Sequence, residues 1–446
     1  MRRRAFIIAA LFTMAPLGVS AADLVVSWQQ AHHAQEDEAL AEVIAAFEQE
    51  TGKQVELTLL PMAEQPPHIE VALDAGHPPD VAFGFWLSTY IPRWSFEDRL
   101  VDLTDTIGHF SDLFDPHQLD RAMLLNARTG QKALYGLPMG QISNYVHVWK
   151  SLLERAGLSL ADIPKKWEAF WAFWCDQAQP AVRKALGRDD IWGIGRPMSV
   201  EAADTTDQFF QFVYAYDADY VTRDGKLVID DPEIRQRLVK AIDSYTAAYR
   251  KGCTPPDSVT WGDGGNNEAF LAETVVMTTN KSLSIPTALK IERPNDYYKN
   301  AATIEWPLGP VGETFPIDNA IFQAVVFKDG GNLATAKEFV SFLVAEGWLM
   351  HYLNFSGERM LPSTPALLDQ PFWLDPSDQH HMAAVMQAES RPLAHDYTVA
   401  SGDLRHDQII NEGVWGNAVH RVATDGISPE QAVDEAIARI KEILSE

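Results

Sequence analysis

Cysteine, positive charge and long apolar runs are all scarce in this sequence. Two cysteines in 446 residues, Cys175 and Cys253, are too few for a disulfide scaffold. Cys175 lies beside Trp174 in an apolar helical stretch and reads as a packed thiol, with pairing to Cys253 left open. Lysine and arginine number 36 against 62 acidic residues, for a formal charge of −26. That balance argues against nucleic acid or an anionic membrane surface as partner, and disfavours a highly anionic ligand unless a local basic pocket overrides the field. No run beyond residue 22 is long enough for a membrane span. G-x-S-x-G and H-E-x-x-H motifs are absent, and no carboxylate pair stands out by its spacing. Repeats and low-complexity tracts are missing too.

The one apolar cluster worth the name comes first. Arg2-Arg3-Arg4 precedes an apolar stretch from Ala5 to Ala15, too short for a stable membrane helix. Pro16 and Gly18 then lead to small residues, with Val19 and Ala21, or Ser20 and Ala22, at the −3 and −1 positions. Residues 1–22 are therefore read as an export signal. Arg3-Arg4-Ala5-Phe6 also fits a twin-arginine signal loosely, which leaves the export route open. No cysteine follows the cleavage region, so a lipid anchor there is excluded. Loss of the three arginines takes the charge from −26 to −29. The mature chain is expected to be exported and soluble.

What is present is an α/β pattern. Leu24 to Trp28 is a short β-branched run without charge, suited to a strand buried on both faces. Leu40, Val43, Ile44 and Phe47 recur at helical spacing, with Glu36, Asp37 and Glu38 in the first turn, where the helix dipole favours them. Gly52 supplies a left-handed stop. Val55–Leu60 reads as a second strand, a short helix with Ile69, Ala72 and Leu73 ends at Gly76, and Asp80–Phe83 reads as a third strand. Short connections make this a parallel βαβαβ unit, and such sheets bind ligands beyond the carboxyl ends of their strands. Trp28 and Trp86 stand at two of those ends.

Further along, Trp94–Phe114 reads as an amphipathic segment closing an edge, with Leu100, Leu103, Ile107 and Phe110 inward. Turn-rich stretches at Tyr135–Gly140 and Glu305–Pro310, each flanked by strands, mark crossings between two lobes. Strands are expected at Tyr145–Trp149, Ile191–Gly195, Thr274–Thr279 and Ile321–Phe327, and helices at Pro232–Arg250, capped by Asp230, and at Ala334–Ala345. The five aromatics of Trp167–Trp174 read as core. The loop Thr260–Asn267 surrounds Trp261 with glycines and amides, a setting where an aromatic is harder to explain by packing. Residues 348–446 read as mainly helical.

Taken in order, these segments resemble the extracellular solute-binding proteins of ABC importers, in the carbohydrate branch that includes maltose-binding-like proteins. The stretches that carry the resemblance are Leu24–Phe47 with Phe47-Glu48-Gln49-Glu50-Thr51-Gly52, Ala75–Val81, Tyr135–Pro138, Leu153–Leu158, Trp167, Glu268–Met277, Pro307–Pro310, Ala334–Val340 and Pro429–Ala436. The resemblance implies a type II two-lobe periplasmic binding protein fold, each lobe a mainly parallel sheet flanked by helices, with hinge strands between. It implies an N-terminal lobe of residues 23–140 and 308–347 and a C-terminal lobe of residues 141–307 and 348–446. It further implies a periplasmic monomer that carries a neutral sugar, oligosaccharide or polyol in the inter-lobe cleft to a membrane permease, without catalysis or cofactor. A pyranose has apolar faces and a belt of hydroxyls, so aromatics with amides and carboxylates suit it.

Carried onto this sequence, the family's cleft loops correspond to Trp28, Gln29 and His32; Phe85 and Trp86; Asn144 and Tyr145; Trp261 and Asp263; and Asn280. Asp318, Asn319, Arg359 and Trp415 are further candidates. One departure stands out: many relatives place Gly then Trp or Pro after the Met277 strand, where this chain reads Asn280-Lys281-Ser282-Leu283. Trp28, Trp86 and Trp261 could instead pack between lobes, Asp318 could be a cap and Arg359 a structural ion pair. His32-His33 and His380-His381 invite a metal reading, but adjacent histidines do not converge on one centre and lack partners at helical spacing. The competing functions are an exported carbohydrate-active enzyme and a binding protein for a phosphodiester or other non-sugar solute.

Overall fold

The structure, a computed structural model, describes residues 22–445 apart from residues 32, 115, 346 and 356–358. The expected export signal lies outside the described residues except for Ala22. The expected strands form β1 (Leu24–Gln29) and β3 (Val81–Phe83), both buried, and β2 (Val55–Leu60), a partly exposed edge strand; they pair in parallel as predicted, with β1 between the other two. The first helix, Ala34–Thr51, buries Leu40, Val43, Ile44 and Phe47 and stops at Gly52 with φ of 70°. The segment expected to be one amphipathic element over 94–114 is instead broken into short helical turns, with Leu100, Leu103 and Ile107 buried.

A hairpin of β4 (Met123–Asn126) and β5 (Gln131–Leu134) precedes β6 (Leu137–Ser143), which runs almost directly into β7 (Tyr145–Trp149). After β8 (Trp192–Gly195), β9 (Val275–Asn280) and β10 (Ala301–Ile304), the chain returns through β11 (Asn319–Val326) and β12 (Leu361–Pro362). Two main sheets result, ordered β12-β6-β11-β3-β1-β2 and β10-β7-β9-β8. The two-lobe architecture is as expected, but the sheets are mixed. β11 lies antiparallel to both β3 and β6, and β7 antiparallel to both β9 and β10. These strands enter from the other lobe without a crossover helix on the same sheet, so nothing imposes a parallel return.

Each sheet has its own core. One gathers β1, β3 and β6 with the helices Ala34–Thr51 and Leu333–Ala345. It also takes in Leu349, Tyr352 and Leu353 from the helix Trp348–Phe355, in a stretch that the sequence placed with the other lobe. The second core surrounds β7–β9 and contains Trp167, Phe170, Phe173 and Trp174, together with the C-terminal helices. The helix Pro232–Arg250 begins as predicted, but Asp231, not Asp230, caps it by accepting from the Glu233 amide. Cys175 and Cys253 form a disulfide, which replaces the packed-thiol reading. The wide π-helical turn of residues 173–178 swings Cys175 towards the chain leaving the helix Pro232–Arg250, a placement that linear spacing cannot show. No helix among the described residues is long and apolar enough to cross a membrane.

Candidate functional site between the two sheets

The strand β9 is apolar over Val275–Met277 and then turns polar through Thr278 and Thr279 to Asn280, with Lys281 following. Asn280 is buried, and its amide donates to Ser282 O and Ser284 Oγ, both at 3.0 Å, so it shapes the turn. Lys281 then projects between the lobes. Its Nζ lies 2.9 Å from Asp207 Oδ1 and 2.8 Å from Asp318 Oδ2. Asp207 belongs to the helix Ala203–Ala215, whereas Asp318 immediately precedes β11 of the other sheet. Burial opposes charge on Lys281, but the carboxylates of Asp207 and Asp318 outweigh it and hold the ammonium protonated above the usual lysine range. Burial raises the Asp207 carboxyl, with Lys281 opposing.

The helix Ala203–Ala215 is aromatic on one side and polar on the other. Asp204, Asp207, Gln208 and Gln211 follow helical spacing. Gln208 exchanges hydrogen bonds with Thr279, through its Nε2 to Thr279 O at 3.0 Å and from Thr279 Oγ1 at 2.7 Å. The Asp204 amide donates to Asp263 Oδ1 at 3.3 Å. Burial, then the charges of Asp207 and Asp263, push the Asp204 carboxyl up to about 8, so at neutral pH it is an O–H donor. Trp261 is partly exposed beside this cluster. Its side chain lies where any Cβ on Gly265 would sit, at 2.5 Å, so the glycine is what lets the indole rest on the start of the helix Gly265–Leu271.

At the crossing, Asn144 is fully buried. Its carbonyl accepts from Trp306 Nε1 and Gln387 Nε2, each at 2.9 Å, and neither side-chain amide atom has a protein partner. Gln211, one turn beyond Asp207, has the same two unpartnered atoms. Asn319 donates to Gln141 Oε1 at 2.6 Å, and its carbonyl accepts from Arg121. Tyr145 pairs with Asn280 across the sheet and packs with Leu283, Leu361 and Trp373.

A second group lies at the end of β1 and β3. Gln29 Oε1 accepts from the Phe85 amide at 2.7 Å, and the Arg359 guanidinium sits 4.3 Å over the Phe85 ring. Arg359 Nε is 2.8 Å from Glu36 Oε1, a carboxyl that burial raises and Arg359 lowers. Arg359 O also accepts from the Leu283 amide at 3.3 Å, joining this rim to the segment after β9.

The sequence-predicted residues thus divide. Asn144, Tyr145, Asn280, Asp318 and Asn319 meet at the crossing, with Trp261 and Asp263 beside them; Gln29, Phe85 and Arg359 meet at the other rim. Trp28 stands behind that rim, packed on Phe83, its indole N–H donating to Tyr352 Oη at 3.2 Å. Trp86 is 40% exposed with no aromatic partner among the described residues. Trp415 is buried in the second core between Phe209 and Tyr220, on the aromatic side of the helix Ala203–Ala215. His32 lies outside the described residues. His380 is buried, its Nδ1 2.7 Å from Thr303 Oγ1 and its Nε2 3.1 Å from Tyr297 O. Among the described residues no three His, Cys, Asp or Glu side chains gather to hold a metal ion. The sequence reading missed Asp204, Asp207, Lys281, Gln211 and Glu36. The polar stripe at 204, 207, 208 and 211 in an otherwise aromatic helix was the signal available for three of them.

Two mixed α/β lobes with polar groups converging where the chain crosses between them define a periplasmic-binding-protein architecture. The chain belongs to the bacterial extracellular solute-binding protein family, whose model matches residues 42–380. Solved structures agree in fold. An ABC transporter solute-binding protein from Thermotoga lettingae TMO, bound with alpha-D-tagatose, is 19% identical, with a TM-score of 0.75 over 95% of this chain and 100% of that one. Maltose-bound MalE3 of T. maritima is 18% identical, with a TM-score of 0.73 over 94% and 99%. The sugar-binding protein MalE from Xanthomonas citri is 20% identical, with a TM-score of 0.69 over 94% and 97%. No curated protein sequence matches the chain.

Proposed function

We propose that this chain is the periplasmic binding component of an ABC importer. It captures a neutral sugar, oligosaccharide or polyol between its lobes and presents it, as a monomer, to an inner-membrane permease. The observation that carries this reading is the cluster of Asp204, Asp207, Asp263, Lys281 and Asp318 beside Trp261. It combines carboxylate acceptors, a protonated carboxyl, an ammonium and an indole face, the mixture that a hydroxyl belt with apolar ring faces requires. Its carboxyl groups outnumber its one cation, which disfavours an anionic guest. The related structures with tagatose and maltose support the same ligand class. Residues 1–22 serve as the export signal. The crossings between lobes lie at Asn144, between Ile304 and Asn319, and beyond Pro362, and the lobes close about them.

Calorimetry of the mature protein with mono- and disaccharides, polyols and sugar acids tests this. Saturable binding of an uncharged saccharide is expected, and Trp261→Ala should weaken it by about 1–3 kcal/mol, the loss of one aromatic face. Indifference to every neutral saccharide would overturn the reading. A second reading rests on Asp204 and Asp207, two carboxyl groups on one helix face, the first raised to about 8 and the second facing an ammonium, a division also used in glycoside hydrolysis. We favour binding because Lys281 occupies Asp207. Turnover of glycosides by the mature protein would decide for catalysis.

A further inference from the structure

Arg196 follows β8 inside the second lobe, and only about 1% of its surface is exposed. Among the described residues no carboxylate lies within ion-pair distance of it. Three rings surround its guanidinium: Trp171 at 4.3 Å, Phe212 at 4.7 Å and Tyr245 at 4.8 Å. Nη1 donates to Tyr245 O at 2.9 Å. Nε and Nη2 have no acceptor in the protein. Ring contacts offset part of the cost of burying this cation, but they act on the faces of the planar group and leave its N–H edge unsatisfied.

That edge is the one arginine uses to grip an oxyanion two-handed. The protein does this elsewhere at its surface. Nε and Nη2 of Arg188 bind Asp190, those of Arg235 bind Asp434, those of Arg405 bind Asp403 and those of Arg439 bind Glu412. These four pairs are surface or partly buried, whereas Arg196 is enclosed and lacks the carboxylate.

Arg196 instead lines a cavity of about 160 Å³. The indoles of Trp167 and Trp171 and the ring of Tyr216 wall it, and Glu168 and Lys251, both exposed, stand at its solvent side. Trp171 Nε1 is a third buried donor with no protein acceptor, whereas the Trp167 indole N–H is already bonded to Ser244 Oγ. Burial lowers Arg196 to about 10, so the guanidinium is charged at neutral pH and offers its unpaired N–H edge to an acceptor entering the cavity, where an anion is the strongest partner.

We propose that this cavity is a second binding site, separate from the inter-lobe cleft, for a small organic monocarboxylate. The carboxylate accepts from Nε and Nη2 of Arg196, with Trp171 Nε1 as a third donor, and its apolar or flat body lies against the indoles. The site sits wholly within the second lobe. It stands regardless of what the cleft carries.

The test titrates the mature protein with acetate, propionate, benzoate and inorganic phosphate, following tryptophan fluorescence, calorimetric heat and melting temperature. Saturable quenching and a rise of about 2 °C in Tm are expected with the carboxylates, and strongest with benzoate. Arg196→Met should abolish the response. Ala247→Phe, which narrows the cavity and leaves the guanidinium in place, should weaken it at least tenfold and covers the case in which the first variant does not fold. Trp261→Ala, at the cleft, should leave it unchanged. Absence of carboxylate binding to the unaltered protein overturns the proposal, as does binding of phosphate alone or a response that survives Arg196→Met or Ala247→Phe.

Discussion

The ammonium of Lys281 lies within 3 Å of both Asp207 and Asp318, and its removal would leave those carboxylates facing each other with no cation between them. Truncating one partner of a buried ion cluster costs more than the cluster is worth, because the survivors keep their desolvation cost. Lys281→Met is therefore expected to lower stability by about 2–4 kcal/mol in urea unfolding, the partial exposure of all three groups tempering the upper figure. Adding Asp318→Asn should return part of that loss, a coupling that a double-mutant cycle measures directly. Asp204 carries a pH signature of its own. Its folded pKa of about 8 lies above the ordinary carboxylate value, so the folded state holds a proton that the unfolded chain gives up. Its contribution thus falls as pH rises from about 4 to about 8. Asp204→Asn should stabilise the protein more at pH 8 than at pH 5, as melting curves at the two values would show.

At the scale of elements, the disulfide Cys175–Cys253 ties the π-helical turn of residues 173–178 to the end of the helix Pro232–Arg250 across 78 residues of chain. A closed loop of that length restricts the unfolded chain by about 4 kcal/mol in the entropic model. Cys175→Ser/Cys253→Ser should therefore cost about 2–4 kcal/mol in denaturant unfolding, and reduction of the unaltered protein a similar amount. Neighbouring Gly193 shows how close the packing is there. A Cβ on it would come within 2.3 Å of Trp174 O and 2.8 Å of Cys253 Sγ. The strands and helices themselves were largely readable. β1 to β3, β7, β8 and the helix Pro232–Arg250 follow from apolar runs and apolar periodicity, which are local, although the helix cap falls on Asp231 and not on Asp230. What escaped was non-local. The antiparallel insertion of β11 between β6 and β3, the pairing of β12 with β6 and the cysteine bridge each join residues far apart in the chain. The site divides in the same way. Strand ends pointed to Asn280 and Asp318, but no spacing could announce that Lys281 would clasp an aspartate from each side of the crossing.

For the whole molecule, the crossings converge on one short stretch. Asn144 O receives Trp306 Nε1 from a second crossing and Gln387 Nε2 from the helix Gln379–Ser390, while Ser143 Oγ donates to Asp318 O at 3.0 Å. A rotation of one lobe against the other must bend the chain here, because β6 and β7 are separated by Asn144 alone and are locked in different sheets. Hinges absorb such motion in a few loop or element-terminal residues, and a change in the bonds that hold them shifts the balance between open and closed forms. Trp306→Phe removes the indole N–H from Asn144 O while keeping a ring in the packing. The ligand-free chain is expected to scatter as a particle with a radius of gyration near or above about 22 Å, the value for a compact chain of this length. Saturation with a cleft ligand should lower that radius in the unaltered protein. In Trp306→Phe the loosened hinge should alter the ligand-free radius and change affinity by about 3- to 10-fold, with every cleft side chain intact. Identical scattering with and without a bound ligand would show instead that the lobes are fixed, with Asn144 serving only to pin them together.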